Sequence, residues 1–477
     1  MEFEPKKMPD TETEETDIQK EYETAQKYEF ETEGIEEKLK DILKDNDKEA
    51  AEELCRDVHY VDIANGLDDL DEDELKQFMF LLPEEDVAGI LESAWEELQQ
   101  KICSFYTNDQ LIDIFSYMTN ADAADLLGIL PTYRRKDILR FMKKSDSNIL
   151  KLILSFDEES AGGIMTTEFI ALKETLTVRE AINKIKQIAP ETEIIEYLLI
   201  TDKLHRLQGL VDLRKILVAN DNTLLKDLLE EFPFYVYADD DQELAANIIT
   251  KYDLTILPVV NKNMAILGVI TSDDIISVID QEYSEDILAM SGVSKDEEFD
   301  SGFFESFKNR IPWLIINMFT AFLASSVVGA FSSTIAAVVA LSAAMPIVTG
   351  MGGNAGTQTL SIVLTSIARG EMNLKDDWKL IFKEIGLGLL DGAIIGIITG
   401  ITLTIMYKNI FLGVIMFFSM ILNMIVAGVT GFLIPLILDR ANIDPAVSSS
   451  IILTTFTDTC GFFIFLGLAT VFLSKLL

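Results

Sequence analysis

The residues best placed to do chemistry are the few ionisable groups set inside long apolar runs. Asp458 lies about a dozen residues into the last such run, in TTFTDTCGFF, flanked by Thr454, Thr455, Thr457 and Thr459. Asp391 sits in GLLDGAII, and Glu384 lies nearer the end of that same run. A carboxylate at membrane depth is costly unless it faces protein or water, so each is a functional candidate. Thr454 precedes Asp458 by one helical turn and Gly461 follows three residues later, placing a carboxylate, a hydroxyl and accessible backbone along one strip. A hard divalent cation that keeps most of its water needs few direct ligands and several oxygen acceptors. A lone Asp in a polar-lined path suits that ion better than a dense carboxylate cage. The plainer alternative is a buried helix–helix hydrogen bond, which is the preferred reading for Asp391 but not for Asp458.

A second run carries PIVTGMGGNAGTQTLS, with Pro346, Gly350, Gly352, Gly353, Asn354, Gly356, Thr357 and Gln358. Proline and clustered glycine predict a broken helix with freed carbonyls, tolerated at membrane depth where it lines a cavity. Asn354 adds a side-chain carbonyl. Glycine alone would equally serve close helix packing; Gly-Gly-Asn beside Pro and Gln points to a path.

Five apolar stretches position these residues, at about 311–330, 333–367, 381–406, 411–437 and 446–474. Each reaches the roughly 20 residues that cross a hydrocarbon core of about 30 Å. The first thirty residues are polar and charged, which predicts no cleavable signal and a cytoplasmic N-terminus. Five spans then put the C-terminus outside. Lys308, Arg310, Arg369, Lys375, Lys379, Lys383 and Arg440 fall on the inner side, against Lys408 and Lys475 on the outer, as the positive-inside rule requires.

The rest of the 477-residue chain has another character. From Ile311 onward seven Lys/Arg meet eight Asp/Glu, so nearly all of the net charge of −40 lies before it. Such a body repels nucleic acid and attracts cations. Cys55, Cys103 and Cys460 are too scattered for a disulfide framework or a thiolate metal site. No nucleophile–base pair, phosphate loop or zinc signature appears, so an enzyme is not expected. Residues 1–33 read as an acidic disordered tail. Over 34–160, units such as LLPEEDVAGILES and YTNDQLIDIFSYM start with a cap signal and repeat apolar residues at helical spacing, which predicts stacked helix pairs. Two α/β modules follow at 161–227 and 228–284, then a connecting helix over 285–310 and the membrane part over 311–477.

The order of modules resembles the MgtE family of Mg²⁺ transporters and channels. The residues that carry the likeness are SAGGIMTTEF, RIPWL, PIVTGMGGNAGTQ and DPAVSSSIILTTFTDTCGFFIFLGLA. The paired α/β modules look like tandem cystathionine-β-synthase (CBS) domains, with LPVVN and LGVITSDDI in the second. The resemblance implies a homodimer with one pore lined by the second and fifth spans. Asp458 would be the principal selectivity residue, with Asn354, Gly350, Gly353, Gly461 and Thr454 nearby. It further implies that cytosolic Mg²⁺ binds acidic faces and holds a closed state. The matching positions are Asp122 and Asp125 in the helical part, Asp241, Glu243 and Asp253 in the second module, then Asp274, Glu282, Glu285, Asp286 and Asp444. Ala121 and Ser277 stand where the family often has further acids. Asp273 resembles the ribose contact of CBS modules that bind adenine nucleotides such as ATP. The implied activity is Mg²⁺-gated Mg²⁺ transport in a prokaryotic plasma membrane. The alternatives are a broader divalent carrier admitting Co²⁺ or Mn²⁺, or a membrane-anchored adenylate sensor.

Overall fold

The computed structural model describes residues 34–67, 70–188, 194–229, 234–295, 297, 302–369, 372, 378–441 and 443–477. The acidic tail expected over 1–33, and Lys375, lie outside the described residues. Two compact units meet in sequence at Ile275 and Ile276, and each stands on its own core.

The first unit opens with short helices: α1 Ile35–Asp45, α2 Lys48–Asp57, α3 Tyr60–Leu67, α4 Glu72–Leu81, α5 Glu84–Ser93, α6 Glu96–Phe105, α7 Asn108–Phe115, α8 Asn120–Ile129, α9 Thr132–Phe141 and α10 Lys144–Ile153. Cap residues set their starts. Asp47 accepts from the amides of Glu49 and Ala50, while Asp71 with Glu74 and Thr107 with Gln110 form reciprocal capping boxes. Helices this short are marginal alone. They hold by packing each on the next but one, α1 on α3 and α5 on α7 in one row, α2 on α4 and α6 on α8 in the other. Ile63, Ile90, Ile102, Leu111 and Leu127 are fully buried between the rows. The stacked-pair expectation describes this arrangement.

Next come β1 Phe169–Lys173, α11 Val178–Ile188, β2 Ile194–Thr201, β3 Leu207–Asp212 and α12 Leu213–Val218. The pattern recurs as β4 Val236–Tyr237, α13 Gln242–Tyr252, β5 Ile256–Val260, β6 Ile266–Thr271 and α14 Ser272–Met290. Both sheets run in sequence order, first pair parallel and second antiparallel. The two modules share a core of Ile194, Leu199, Leu210, Ile256, Val260 and Val269. The Ser160–Gly163 segment is stitched to the second module, with the Ala161 amide donating to the Asp240 carbonyl at 2.7 Å. A Cβ on Gly163 would lie 2.7 Å from the Glu158 carbonyl oxygen, so only glycine fits there.

The second unit holds the last turns of α14, then α15 Phe303–Ala330, α16 Ser332–Ala337, α17 Ala340–Ala368, α18 Ile381–Tyr407, α19 Ile410–Arg440, α20 Pro445–Val471 and α21 Leu473–Leu476. Two expectations need correction. The connecting helix over 285–310 is divided: α14 ends at Met290, where Gly292 takes φ +71° and the Val293 amide closes back on the Leu288 carbonyl. Of the five expected spans, Ser306–Ala330, Trp378–Tyr407, Ile410–Arg440 and Ser449–Val471 are, among the described residues, both long and apolar enough to cross a membrane. The fifth long helix, α17, has 29 residues, but its glycines, threonines, Asn354 and Gln358 dilute its apolarity. The second correction is that α17 runs unbroken through Pro346 and the glycine cluster. Packing of one face on α19 and α20 keeps the helix formed.

Candidate ion path and cation-sensing carboxylates

Helix α17 has two unlike faces, set by which positions meet its neighbours. Leu341, Ala344, Val348, Gly352, Gly356 and Leu360 recur every three or four residues and are buried. A Cβ on Gly356 would lie 2.8 Å from a Leu453 methyl of α20, and one on Gly352 would collide with the Asn423 amide of α19. Gly350, Asn354, Thr357 and Gln358 form the opposite face and are exposed. A Cβ on Gly350 or Gly353 would meet nothing within 4 Å. The glycine cluster therefore divides by position. Gly352 and Gly356 are packing glycines; Gly350 and Gly353 border open space.

Helix α20 starts at the N-cap Asp444, whose Oδ1 accepts from the Ala446 amide at 2.8 Å. Pro445 suits the first turn. Farther along, Asp458 is half-buried and Thr454, one turn earlier, is exposed. Among the described residues the Asp458 carboxylate has no hydrogen-bond or ion-pair partner, whereas Thr454, Thr455 and Thr457 each donate to a carbonyl of their own helix. Gly461 departs from expectation: it is buried, and a Cβ there would sit 3.0 Å from Asn423 Oδ1. Its bare backbone accommodates a neighbouring helix.

Of the other ionisable groups in this unit, Glu384 accepts from Thr359 Oγ1 at 3.0 Å. With the exposed Asp391 it lines a cavity of about 190 Å³ between α17, α18 and α19. Glu384 thus makes an interhelical hydrogen bond.

In the soluble unit, Asp122 is the hub of a carboxylate group. Thr119 caps α8 and donates to Asp122 Oδ2 at 2.5 Å. Burial, then the charge of Asp274, pushes the Asp122 carboxyl upward against that hydrogen bond. Burial, with Asp122 adding repulsion, raises Glu92 to about 7. Asp125 rises to about 7 from burial, then from Asp122 and Glu158. Glu168 is also raised, first by burial, although Asn120 donates to it through both backbone and side-chain nitrogens at 3.1 and 3.0 Å. The sequence pointed to Asp122, Asp125 and Asp274. Glu92, Glu158 and Glu168 were missed, because they come from other elements and no local spacing links them.

The remaining acids are dispersed. Asp241 caps α13 by accepting from the Glu243 amide at 2.8 Å, while Asp253 closes the far end of that helix at φ +52°. A helix of 11 residues separates them, about 16 Å at 1.5 Å per residue. Asp274 accepts from Thr271 Oγ1 at 2.7 Å, and Asp273 is exposed beside it. In the second unit, Asp286 is raised to about 6 by burial, then by the charges of Asp444 and Glu285. Glu285 pairs with Lys295 at 3.4 Å, and Glu282 is half-buried one turn earlier on α14. Met290 packs on Leu360, Leu364 and Leu453, which seats the end of α14 against α17 and α20. Among the described residues, no three His, Cys, Asp or Glu side chains converge as a direct metal cage.

Residues 345–468 match the family described as divalent cation transporter, residues 58–159 the MgtE intracellular N domain, and residues 161–221 and 225–281 the CBS domain. The chain is 33% identical to the magnesium transporter MgtE of Enterococcus faecalis over 68% of its own length and 71% of that protein. It is 29% identical to the magnesium transporter MgtE of Bacillus subtilis over 91% of its own length and 96% of that protein. Among solved structures, the cytosolic domain of the Mg²⁺ channel MgtE in complex with ATP is 28% identical, with a TM-score of 0.48, covering 51% of this chain and 99% of that one.

Proposed function

The chain belongs to the MgtE family of divalent cation transporters, and from that premise we propose that it carries Mg²⁺ across the plasma membrane, through a pore between two copies, under the control of cytosolic Mg²⁺. The observation that carries the permeation part is the open polar face of α17, with Gly350, Gly353 and Asn354, beside a partnerless Asp458 on α20. These groups suit an ion that arrives with its water. Mg²⁺ is octahedral and dehydrates reluctantly, so one carboxylate and a few oxygen acceptors hold its hydrate without stripping it. Thr454 lines the approach.

Control follows from charge. Asp122, Asp125, Asp274 and their neighbours repel one another when ionised, and a hydrated divalent ion among them removes that repulsion without direct coordination. Asp286 and Asp444, with Glu282 and Glu285, form a second such place where α14 meets α20. Asp241, Glu243 and Asp253 supply surface charge to the same body. Ion binding favours the compact, closed arrangement, and the coupling is reciprocal. Asp273 is proposed as a ribose contact for an adenine nucleotide in the CBS pair. The soluble half faces the cytoplasm and the C-terminus lies outside.

The test is Mg²⁺ flux into liposomes that hold the full chain, with Asp458→Asn and Asp458→Ala beside the wild type. Both variants should lose most of the flux. Undiminished flux in both would remove Asp458 from the mechanism.

A further inference from the structure

Asn423 is a fully buried amide in the middle of α19, a helix that otherwise supplies apolar packing. Its Nδ2 donates across the bundle to the Val348 carbonyl of α17 at 2.8 Å. That carbonyl lies two residues before Gly350 and six before Asn354. The amide occupies room left by two glycines on two different helices: a side chain at Gly352 would overlap it, and one at Gly461 would press on its Oδ1 at 3.0 Å. Gly461 in turn lies three residues after Asp458. One side chain therefore touches both helices of the ion path, within about two turns of each proposed ion-contacting group.

A leucine would fill the same space without stranding a polar atom. As it stands, Asn423 Oδ1 has no hydrogen-bond partner among the described residues, and neither does Oγ of the fully buried Ser419 one turn earlier on that face. An unpaired acceptor in a dry interior weakens the fold. What the amide adds over leucine is a single directional bond. Packing alone sets how near α17 comes; a bond to one particular carbonyl also sets how far α17 is rotated about its axis. That rotation decides whether Gly350 and Asn354 face the path.

We infer that Asn423 is a positioning residue of the permeation path, fixing the rotation of α17 and its spacing from α20 so that Asn354, Gly350 and Asp458 present one ion site. The inference rests on the reading of Asp458 and Asn354 as path residues. It predicts that losing the bond degrades discrimination between hydrated ions more than it degrades folding.

The experiment uses the full chain in phosphatidylethanolamine–phosphatidylglycerol liposomes. Half-saturating Mg²⁺ and the ratio of Mn²⁺ to Mg²⁺ flux are measured for wild type, Asn423→Leu, Gly461→Ala and Asp458→Asn, with thermal unfolding in detergent alongside. Asn423→Leu should shift the flux ratio and the half-saturating concentration several-fold, with an unfolding midpoint close to wild type. If only the flux amplitude falls while both other quantities stay put, the amide is mere filling and the inference is overturned. Should Asn423→Leu fail to fold, Gly461→Ala, which displaces the amide from one side, carries the test: a shifted ratio supports the inference and an unchanged one overturns it. Undiminished flux in Asp458→Asn would instead sink the path reading itself. Loss of flux there, with an unchanged ratio in Asn423→Leu, would overturn the Asn423 inference alone.

Discussion

Helices α8 and α17 solve one local problem in two different solvents. Each packs one face through small residues, Ala123 and Ala124 in α8, Gly352 and Gly356 in α17, and presents polar groups from the rest of its surface. In α8 those groups are carboxylates coupled to acids on several other elements, so no single charge acts alone. In α17 they are a neutral amide and bare glycine backbone, and the carboxylate proposed to act with them, Asp458, lies on α20. Water explains the contrast. Near solvent, many acids can share one body and respond jointly to a cation. At membrane depth each uncompensated charge is costly, so the proposed path uses one. On the proposed reading sensing is distributed and conduction is concentrated, and the two regions should answer mutation differently.

The largest effect should come from exchanging the two faces of α17. Gly352→Leu drives a side chain into the Asn423 amide, and overpacking of that kind costs about 1–3 kcal/mol or more. Its thermal midpoint in detergent should fall by many degrees. Gly350→Ala, on the open face, should change stability by less than about 0.5 kcal/mol. Equal destabilisation by the two variants would dissolve the distinction between packing and path glycines.

A smaller effect is expected in α8. Asp122→Asn removes the hub of the repulsion, so without Mg²⁺ the soluble half should resist limited proteolysis better than wild type. Glu158→Gln, at the edge of the group, should change protection less. If Asp122→Asn were the more readily cleaved, its carboxylate would be a stabilising ligand or cap and not a repulsive charge. Where α14 meets α20, Asp286→Asn should likewise reduce the Mg²⁺ needed for protection, by a few-fold, since about 1.4 kcal/mol corresponds to tenfold in binding. An unchanged requirement would acquit the Asp286–Asp444 pair.

How far these features were legible depends on whether their cause is local. Cap residues such as Asp71 and Thr107, the doubled strand–helix texture and the long apolar runs are each written within a dozen or so residues, and the elements follow them. The stop at Gly292 was also local, in SGVS, and yet was read through as one helix. Gly350 and Gly352 cannot be told apart by composition; only the neighbours' placement shows that one packs and the other does not. Asn423, within ILNMI, carries no local signal of its role, because its partner carbonyl lies 75 residues away. Glu92 and Glu168 join Asp122 only once the helical part has docked on the first α/β module. Pro346 misled for another reason: the packing of α17 on α19 and α20 holds the helix through it, and those neighbours lie far away in sequence.

The smallest expected effect is the dependence of the soluble unit on pH, and it separates distributed sensing from a single titrating switch. Glu92 and Asp125 are each raised to about 7, and Asp122 and Glu168 are raised as well, burial being the first cause in every case. A carboxyl whose value rises on folding favours the compact form while protonated. That contribution is complete below the ordinary carboxylate value near 4 and is lost as pH climbs through about 7. Compaction without Mg²⁺ should therefore strengthen as pH falls from about 8 to about 6. The gain should be modest, since Glu92 and Asp125 are themselves exposed and water screens their charges. Limited proteolysis at the two pH values reads this directly. Glu92→Gln together with Asp125→Asn should shrink the pH difference without abolishing it, because Asp122 and Glu168 still titrate. Complete loss of the pH response in that double variant would show that two acids carry the whole effect, and the picture of a shared acidic body would fail.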